Sequence, residues 1–332
     1  MKNHLQRVIL LLIIVLGNFA AFGQSKGIDP ALLANANAGD AKSQVEVGKA
    51  YFAGDIVPQN FGQAFAMMKK AADQGNPEGE YLLGTMYGVD AKRMGIAEDY
   101  TQAASWYRKA AEQGYADAQF SLGYLYSVGT GVNQDHSQAA SWYRKAAEQG
   151  NASAQYNLGH SYEFGEGVAK DYKEAAAWYR KSADQGDSAA QFSLGTLYDS
   201  GNGGLQDHVL AAEWYRKSAD QGDQYAQFYL ALSYEKGEGV KQDYTQSATW
   251  YRKAADQGNA DAELNLGLAY YHGQGLTQSN VEAYFWILLA VPGLSGDDKA
   301  SAVQSRDFLA GKLSAQELAD VQTRATNWFS EH

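Results

Sequence analysis

The sequence predicts an all-α protein, an α/α solenoid of stacked helix pairs with capping helices at its ends. Three observations carry that prediction. Trp106, Trp142, Trp178, Trp214, Trp250 and Trp286 recur every 36 residues, and the first five are each followed by Tyr-Arg-Lys. A fixed period in the range of about 20–50 residues marks a chain that stacks copies of one supersecondary unit. Within each period two stretches carry apolar residues three or four apart, separated by glycine clusters, which is the punctuation of helix, turn, helix. Finally, 45% hydrophobic residues with 35 Gly and only 4 Pro supply a continuous core whose turns are made by glycine.

Taken in order, residues 1–23 read as a secretory signal. Lys2 and Arg7 precede an apolar run from Val8 to Leu16, and Ala21-Phe22-Gly23 offers small residues for cleavage after Gly23. Polar Asn18 interrupts the run short of the about 20 residues a membrane span needs, so no integral span is expected after cleavage. Residues 24–39 form an N-terminal cap: Asp29-Pro30 is a helix start and Gly39 a stop, giving a helix over 29–38. Seven helix pairs are expected over 40–294, at 40–75, 76–114, 115–150, 151–186, 187–222, 223–258 and 259–294. Residues 295–332 form the C-terminal cap, with helices at about 296–310 and 315–329, the second opened by a Ser314/Glu317 capping box. Such caps keep the apolar faces of the end pairs out of water.

The pair 115–150 shows the internal logic. In its first helix, helix A, Ala118, Leu122 and Tyr126 share one face. Gly123 beside them, matched by Gly48, Gly84, Gly159, Gly195 and Gly267 with Ala231 in the sixth pair, predicts a neighbour too close for a side chain. Glycine inside a helix costs about 1 kcal/mol against alanine, so its repetition needs such a cause. Gly129 and Gly131 make the turn, and Asp135 with Gln138 has the spacing of a capping box for helix B. Asp99/Gln102, Asp171/Glu174 and Asp243/Gln246 repeat it. Helix B buries Ala139, Tyr143 and Ala146, and the periodic Trp and Tyr are read as core; Arg144 and Lys145 complement its C-terminal dipole. In the seventh pair helix B becomes Ala283-Tyr-Phe-Trp-Ile-Leu-Leu-Ala290, greasier than its siblings and halted by Pro292.

Several chemistries are disfavoured. Net charge is −11, falling to −13 once Lys2 and Arg7 are removed, which argues against nucleic acid and anionic membranes as partners. There is no cysteine, hence no disulfide or thiolate metal site. No His-Glu-x-x-His or similar spacing points to a metal. The five Gly-x-Gly pairs lack the third glycine and preceding strand of a phosphate loop. Ser233-Tyr-Glu-Lys236 matches the Ser-x-x-Lys of penicillin-interacting enzymes, without its companion motifs. No catalytic residue, cofactor or metal is expected.

The frame resembles the Sel-one-like repeat family, a branch of the tetratricopeptide-like helical repeats. Ala154, Leu158, Gly159, Tyr162, Gly165, Gly167, Val168, Asp171, Tyr172, Ala175, Trp178, Tyr179, Lys181 and Gly186 carry its pattern, and the likeness covers about 40–294. The tail around Arg306-Asp-Phe-Leu-Ala, Leu313-Ser-Ala-Gln-Glu-Leu and Trp328 also looks like the helical end of many bacterial members. The resemblance implies a right-handed superhelix that serves as a protein-interaction scaffold, with helix A lining its concave side. Cysteine-rich relatives have been linked to cell-wall peptides and β-lactams; that alternative, an enzyme or binder in the periplasm, loses its strongest likeness here for want of cysteine. A purely architectural subunit is a third reading.

The positions that vary while the frame repeats are the candidate partner-binding residues, the other reading being drift at solvent-facing positions. On helix A they form one stripe, three and four apart: Ser121, Tyr124, Val128; Asn157, His160, Phe164; Ser193, Thr196, Ser200; Tyr229, Leu232, Lys236; and Asn265, Leu268, His272. Tyr124, Phe164 and Tyr229 are the candidate apolar anchors. The expected protein is a periplasmic or secreted scaffold that binds a protein or extended peptide.

Overall fold

The computed structural model describes residues 27–331; the signal expected over 1–23 lies outside them. Among the described residues there are seventeen α-helices and no strand. They fall into two compact units, one ending at Ser161 with Gly165–Ala169 added, the other comprising Tyr162–Phe164 and everything from Lys170.

The first unit holds α1 (Pro30–Ala38), α2 (Ala41–Ala53), α3 (Phe61–Asp73), α4 (Pro77–Tyr87), α5 (Tyr100–Glu112), α6 (Ala116–Val128), α7 (His136–Glu148) and most of α8 (Ala152–Phe164). The leading helix is capped by the Asp29 carboxylate, which accepts from the Ala31 N–H, and ends on left-handed Gly39. Its Ala36 packs with Ile28, Val47 and Met67 over the first pair. The second unit continues with α9 (Tyr172–Asp184), α10 (Ser188–Ser200), α11 (His208–Asp220), α12 (Gln224–Lys236), α13 (Tyr244–Ala255), α14 (Ala260–His272) and α15 (Asn280–Gly293). It closes with α16 (Gly296–Ala310) and α17 (Ala315–Glu331), both packed on α15. Each pair is therefore an even-numbered helix A and an odd-numbered helix B.

The helix-A glycines have a specific neighbour. A Cβ on Gly123 would stand 2.9 Å from Cδ1 of Tyr143, and one on Gly84 or Gly195 would meet Tyr107 or Tyr215 at 2.7 Å. In these three pairs the expected close approach is the helix-B tyrosine ring; against Gly48 it is Met68 and against Gly267 it is Ile287. Tyr107, Tyr143, Tyr179, Tyr215 and Tyr251 are all buried. The loop glycines bind one pair to another. Gly131 has φ +72°, and a Cβ there would collide with the Tyr100 carbonyl at the start of the preceding helix B; Gly239 and Gly275 stand likewise against His208 and Tyr244. These turns are inter-repeat contacts as well as chain reversals.

A buried amide ladder supplies the polar joints. Gln44, Gln119, Gln155, Gln191 and Gln227 are buried, and each donates Nε2–H to the carbonyl eight residues earlier, at Ala36, Ala111, Ala147, Ala183 and Ala219. Those carbonyls lie at a preceding helix end, where α-helices leave acceptors unpaired. In turn Gln74, Gln149, Gln221 and Gln257 donate to the side-chain oxygens of Gln44, Gln119, Gln191 and Gln227. Two positions carry a carboxyl in place of the amide. Glu80 accepts from Gln113 at 2.7 Å. Glu263 is 4% exposed, and Gly293 occupies the place where such a glutamine would stand. Burial pushes the Glu263 carboxyl up to about 7.

Four expectations are corrected. Tyr126 is half-buried, and Leu125 takes the core place; the Tyr126 hydroxyl accepts from Arg108 of the preceding pair at 2.8 Å, as Tyr198 does from Arg180. The interior capping boxes are one-sided. Asp135 accepts from Ser137 and Gln138 N–H, but its own N–H already bonds Tyr126 O at 2.9 Å, so nothing is left for Gln138 to satisfy. Ser314 and Glu317 do form the reciprocal box. Helix α15 carries Pro292 within its last turn and ends one residue later, at Gly293. Lastly, the tryptophans are not uniformly core. Trp214, Trp250 and Trp286 are buried, whereas Trp106, Trp142 and Trp178 are half-buried. The lysine three residues on lies over the indole face in buried and half-buried cases alike, at 3.7 Å for Lys109, 3.8 Å for Lys145, 3.6 Å for Lys181 and Lys217, and 3.7 Å for Lys253.

Candidate partner-binding surface

Helix A is hemmed on both sides by its neighbours, so the stripe emerges gradually along it. In the first unit Ser121, Tyr124, Asn157 and His160 are half-buried, and Val128 at the C-terminal end of α6 is 45% exposed. Burial raises the Tyr124 phenol above its ordinary value, so it stays a neutral donor. His160 Nδ1 lies 3.6 Å from the Glu166 carboxylate.

In the second unit Phe164 is 57% exposed, and Ser193, Thr196, Tyr229, Leu232, Asn265 and Leu268 are half-buried. Ser200, Lys236 and His272 are exposed. Tyr229 is largely engaged within the fold: its ring stacks on Tyr215 at 5.3 Å and meets Phe192 at 5.7 Å. Lys236 Nζ lies 3.9 Å from Glu238, and Ser233 Oγ–H donates to Tyr229 O, so the lysine of the Ser-x-x-Lys match pairs with a carboxylate and the serine with the backbone. Asn265, Leu268 and His272 come together with Glu235, Tyr244 and Tyr251 around a cavity of 250 Å³.

Glu235 belongs to a set that the stripe reading missed. Glu163, Asp199 and Glu235 each accept from the hydroxyl of the helix-B tyrosine 16 residues on, Tyr179, Tyr215 and Tyr251. Burial, then the carboxylate beside each, holds the Tyr215 and Tyr251 phenols far above their ordinary value, so both remain donors. The acid–tyrosine spacing is visible in the sequence, but nothing there shows that the pair meets at the end of helix A. Among the described residues no group of three His, Asp or Glu side chains could hold a metal ion, and no helix is long and apolar enough to cross a membrane.

A Sel1 repeat family model matches seven consecutive segments, 41–76, 77–115, 116–151, 152–187, 188–223, 224–259 and 260–291. No curated protein matches the chain. Among solved structures the chain is similar to a Sel1 repeat protein from Oxalobacter formigenes, at 30% identity and TM-score 0.64, over 82% of this chain and 78% of that one. It is also similar to c5321, a protective antigen of uropathogenic Escherichia coli strains displaying an SLR fold, at 28% identity and TM-score 0.37 over 90% and 94% of the two chains. A sel1 repeat protein from Klebsiella pneumoniae follows at 24% identity and TM-score 0.40, over 61% of this chain and 97% of that one. Of these three, the first superposes closely enough to bear on the architecture.

Proposed function

This chain belongs to the Sel1 repeat family, and from that premise we propose that it is an exported, non-enzymatic scaffold that binds a protein or extended peptide along its helix-A side. Helical-repeat proteins of this kind bind proteins. One observation carries the finer reading. The repeating frame, tyrosine on glycine and amide on carbonyl, is spent on holding the pairs together, while the side chains that differ from pair to pair sit half-exposed on helix A. An apolar ring exposed like that of Phe164 stabilises a docked partner more than it stabilises the free fold. The residues proposed to make contact are Val128 in the first unit, and Phe164, Leu232, Lys236, Leu268 and His272 in the second.

Photo-crosslinking residues placed at 128, 164 and 236, with controls at Ser105, Ser141 and Ala177 on helix B, test this reading. A partner captured from the helix-A positions and not from the controls is expected; capture from helix B alone would refute it. Export is proposed on the N-terminal sequence pattern. The exported protein should begin at Gln24, which N-terminal sequencing of the mature chain reads directly.

A further inference from the structure

The tyrosine-held carboxylate Glu235 has a counterpart in each of the two preceding pairs, Glu163 and Asp199, and in each of those pairs the chain places a basic side chain of its own at the start of helix B. In one, Lys170 Nζ lies 4.6 Å over the Tyr172 ring. In the next, His208, 36 residues on from Tyr172, places Nδ1 2.9 Å from the Asp199 carboxylate. Tyr244 takes the same place in the sixth pair, and Gln242 replaces Lys170. There Gln242 Nε2–H donates to the Tyr244 hydroxyl, and among the described residues no cation pairs with Glu235. Tyr251 O–H donates to Glu235 Oε2 and fixes the carboxylate, leaving Oε1 to accept from outside. The cavity therefore offers a held carboxylate, an aromatic ring, the Asn265 amide and the aliphatic flank of Leu268.

Its 250 Å³ is below the roughly 300–1,000 Å³ of sites that take a whole small molecule, and matches one long side chain. The net charge of −11 favours a cationic one. We propose that this cavity takes an arginine side chain of the protein or peptide partner, with the guanidinium on Glu235 and against the Tyr244 ring and the methylenes along Leu268. A planar guanidinium can donate to a carboxylate while stacking on a ring, which a lysine ammonium does less well. The assignment rests on the helix-A side being the docking surface.

A phage-displayed library of random linear heptapeptides, selected on the full chain, tests it. Arginine should be enriched at one position. A synthetic peptide from that selection should lose at least tenfold in affinity with Glu235→Gln, and no further when its arginine is replaced by norleucine. Glu213→Gln, an exposed carboxylate on α11, should change affinity less than twofold. Leu268→Arg, which supplies an internal cation, should block the peptide; thermal melts of each variant establish that it is folded. Selection of lysine or of no cation, or binding indifferent to both Glu235→Gln and Leu268→Arg, would overturn the arginine site. In those cases the docking surface still stands if Phe164→Ala or Lys236→Ala weakens the peptide. A selection that yields no binder overturns both.

Discussion

Helices α7 and α15 occupy the same place in the repeat and have opposite outer faces. In α7 the residues around Trp142 are Ser141, Arg144 and Lys145, all exposed, and the indole is half-buried under the Lys145 ammonium. In α15 the equivalent residues are Phe285, Leu288 and Leu289, and Trp286 is 1% exposed. Helices α16 and α17 cover α15: Trp328 stands edge-on to Trp286 at 5.5 Å, and Arg252 lies 4.5 Å over its face. The same frame thus leaves the outer side of its tryptophan partly to water in α7 and closes it with an aromatic cluster in α15, where a cap lies beyond. Among the described residues the buried Trp286 indole N–H, like that of Trp250, has no hydrogen-bond partner. That costs about 1–3 kcal/mol. Burying 150–250 Å² of ring at about 25 cal/mol per Å² contributes roughly 4–6 kcal/mol, so burial wins.

The sharpest break of this contrast is Trp286→Ala, which should destabilise by about 3–5 kcal/mol in denaturant titration, because the cap cannot collapse onto the void. A loss near that of an exposed residue would mean that α16 and α17 do not seal the end. Next comes Glu263→Gln. The folded carboxyl, pushed up to about 7, holds its proton more tightly than in the unfolded chain, so stability falls as pH rises from about 4.5 through 7. The glutamine variant should abolish that fall and gain about 2–3 kcal/mol at pH 8, read from melts across pH. Trp142→Ala should cost about 1–2 kcal/mol, well short of its counterpart, since half of that ring already faces water. Smallest is Lys145→Ala, at about 0.5–1 kcal/mol from the ring face, and removal of the indole first should erase the effect in a double-mutant cycle.

Much of the architecture was legible. The 36-residue tryptophan spacing, the helix-A glycines and the Asp caps of helix B each report a local or nearest-neighbour constraint, and those are the constraints a repeat writes out again and again. The amide ladder was equally periodic but went unread, because Gln119 looks like any surface glutamine until the Ala111 carbonyl is seen against it. The candidate site was legible only as a stripe. Its separation into exposed Phe164, engaged Tyr229 and the cavity at Leu268 depends on contacts between helices far apart in sequence.

The sequence by itself determined the period, the helix pairs and the glycines that a neighbouring helix must approach closely, since spacing along a helix dictates which side chains share a face. Only the tertiary structure decided which tryptophans are sealed, where a carboxyl is forced to keep its proton, and which carboxylate lines a cavity. Those depend on the distance to a neighbour and on the water excluded between them, and no pattern along one strand of sequence measures either.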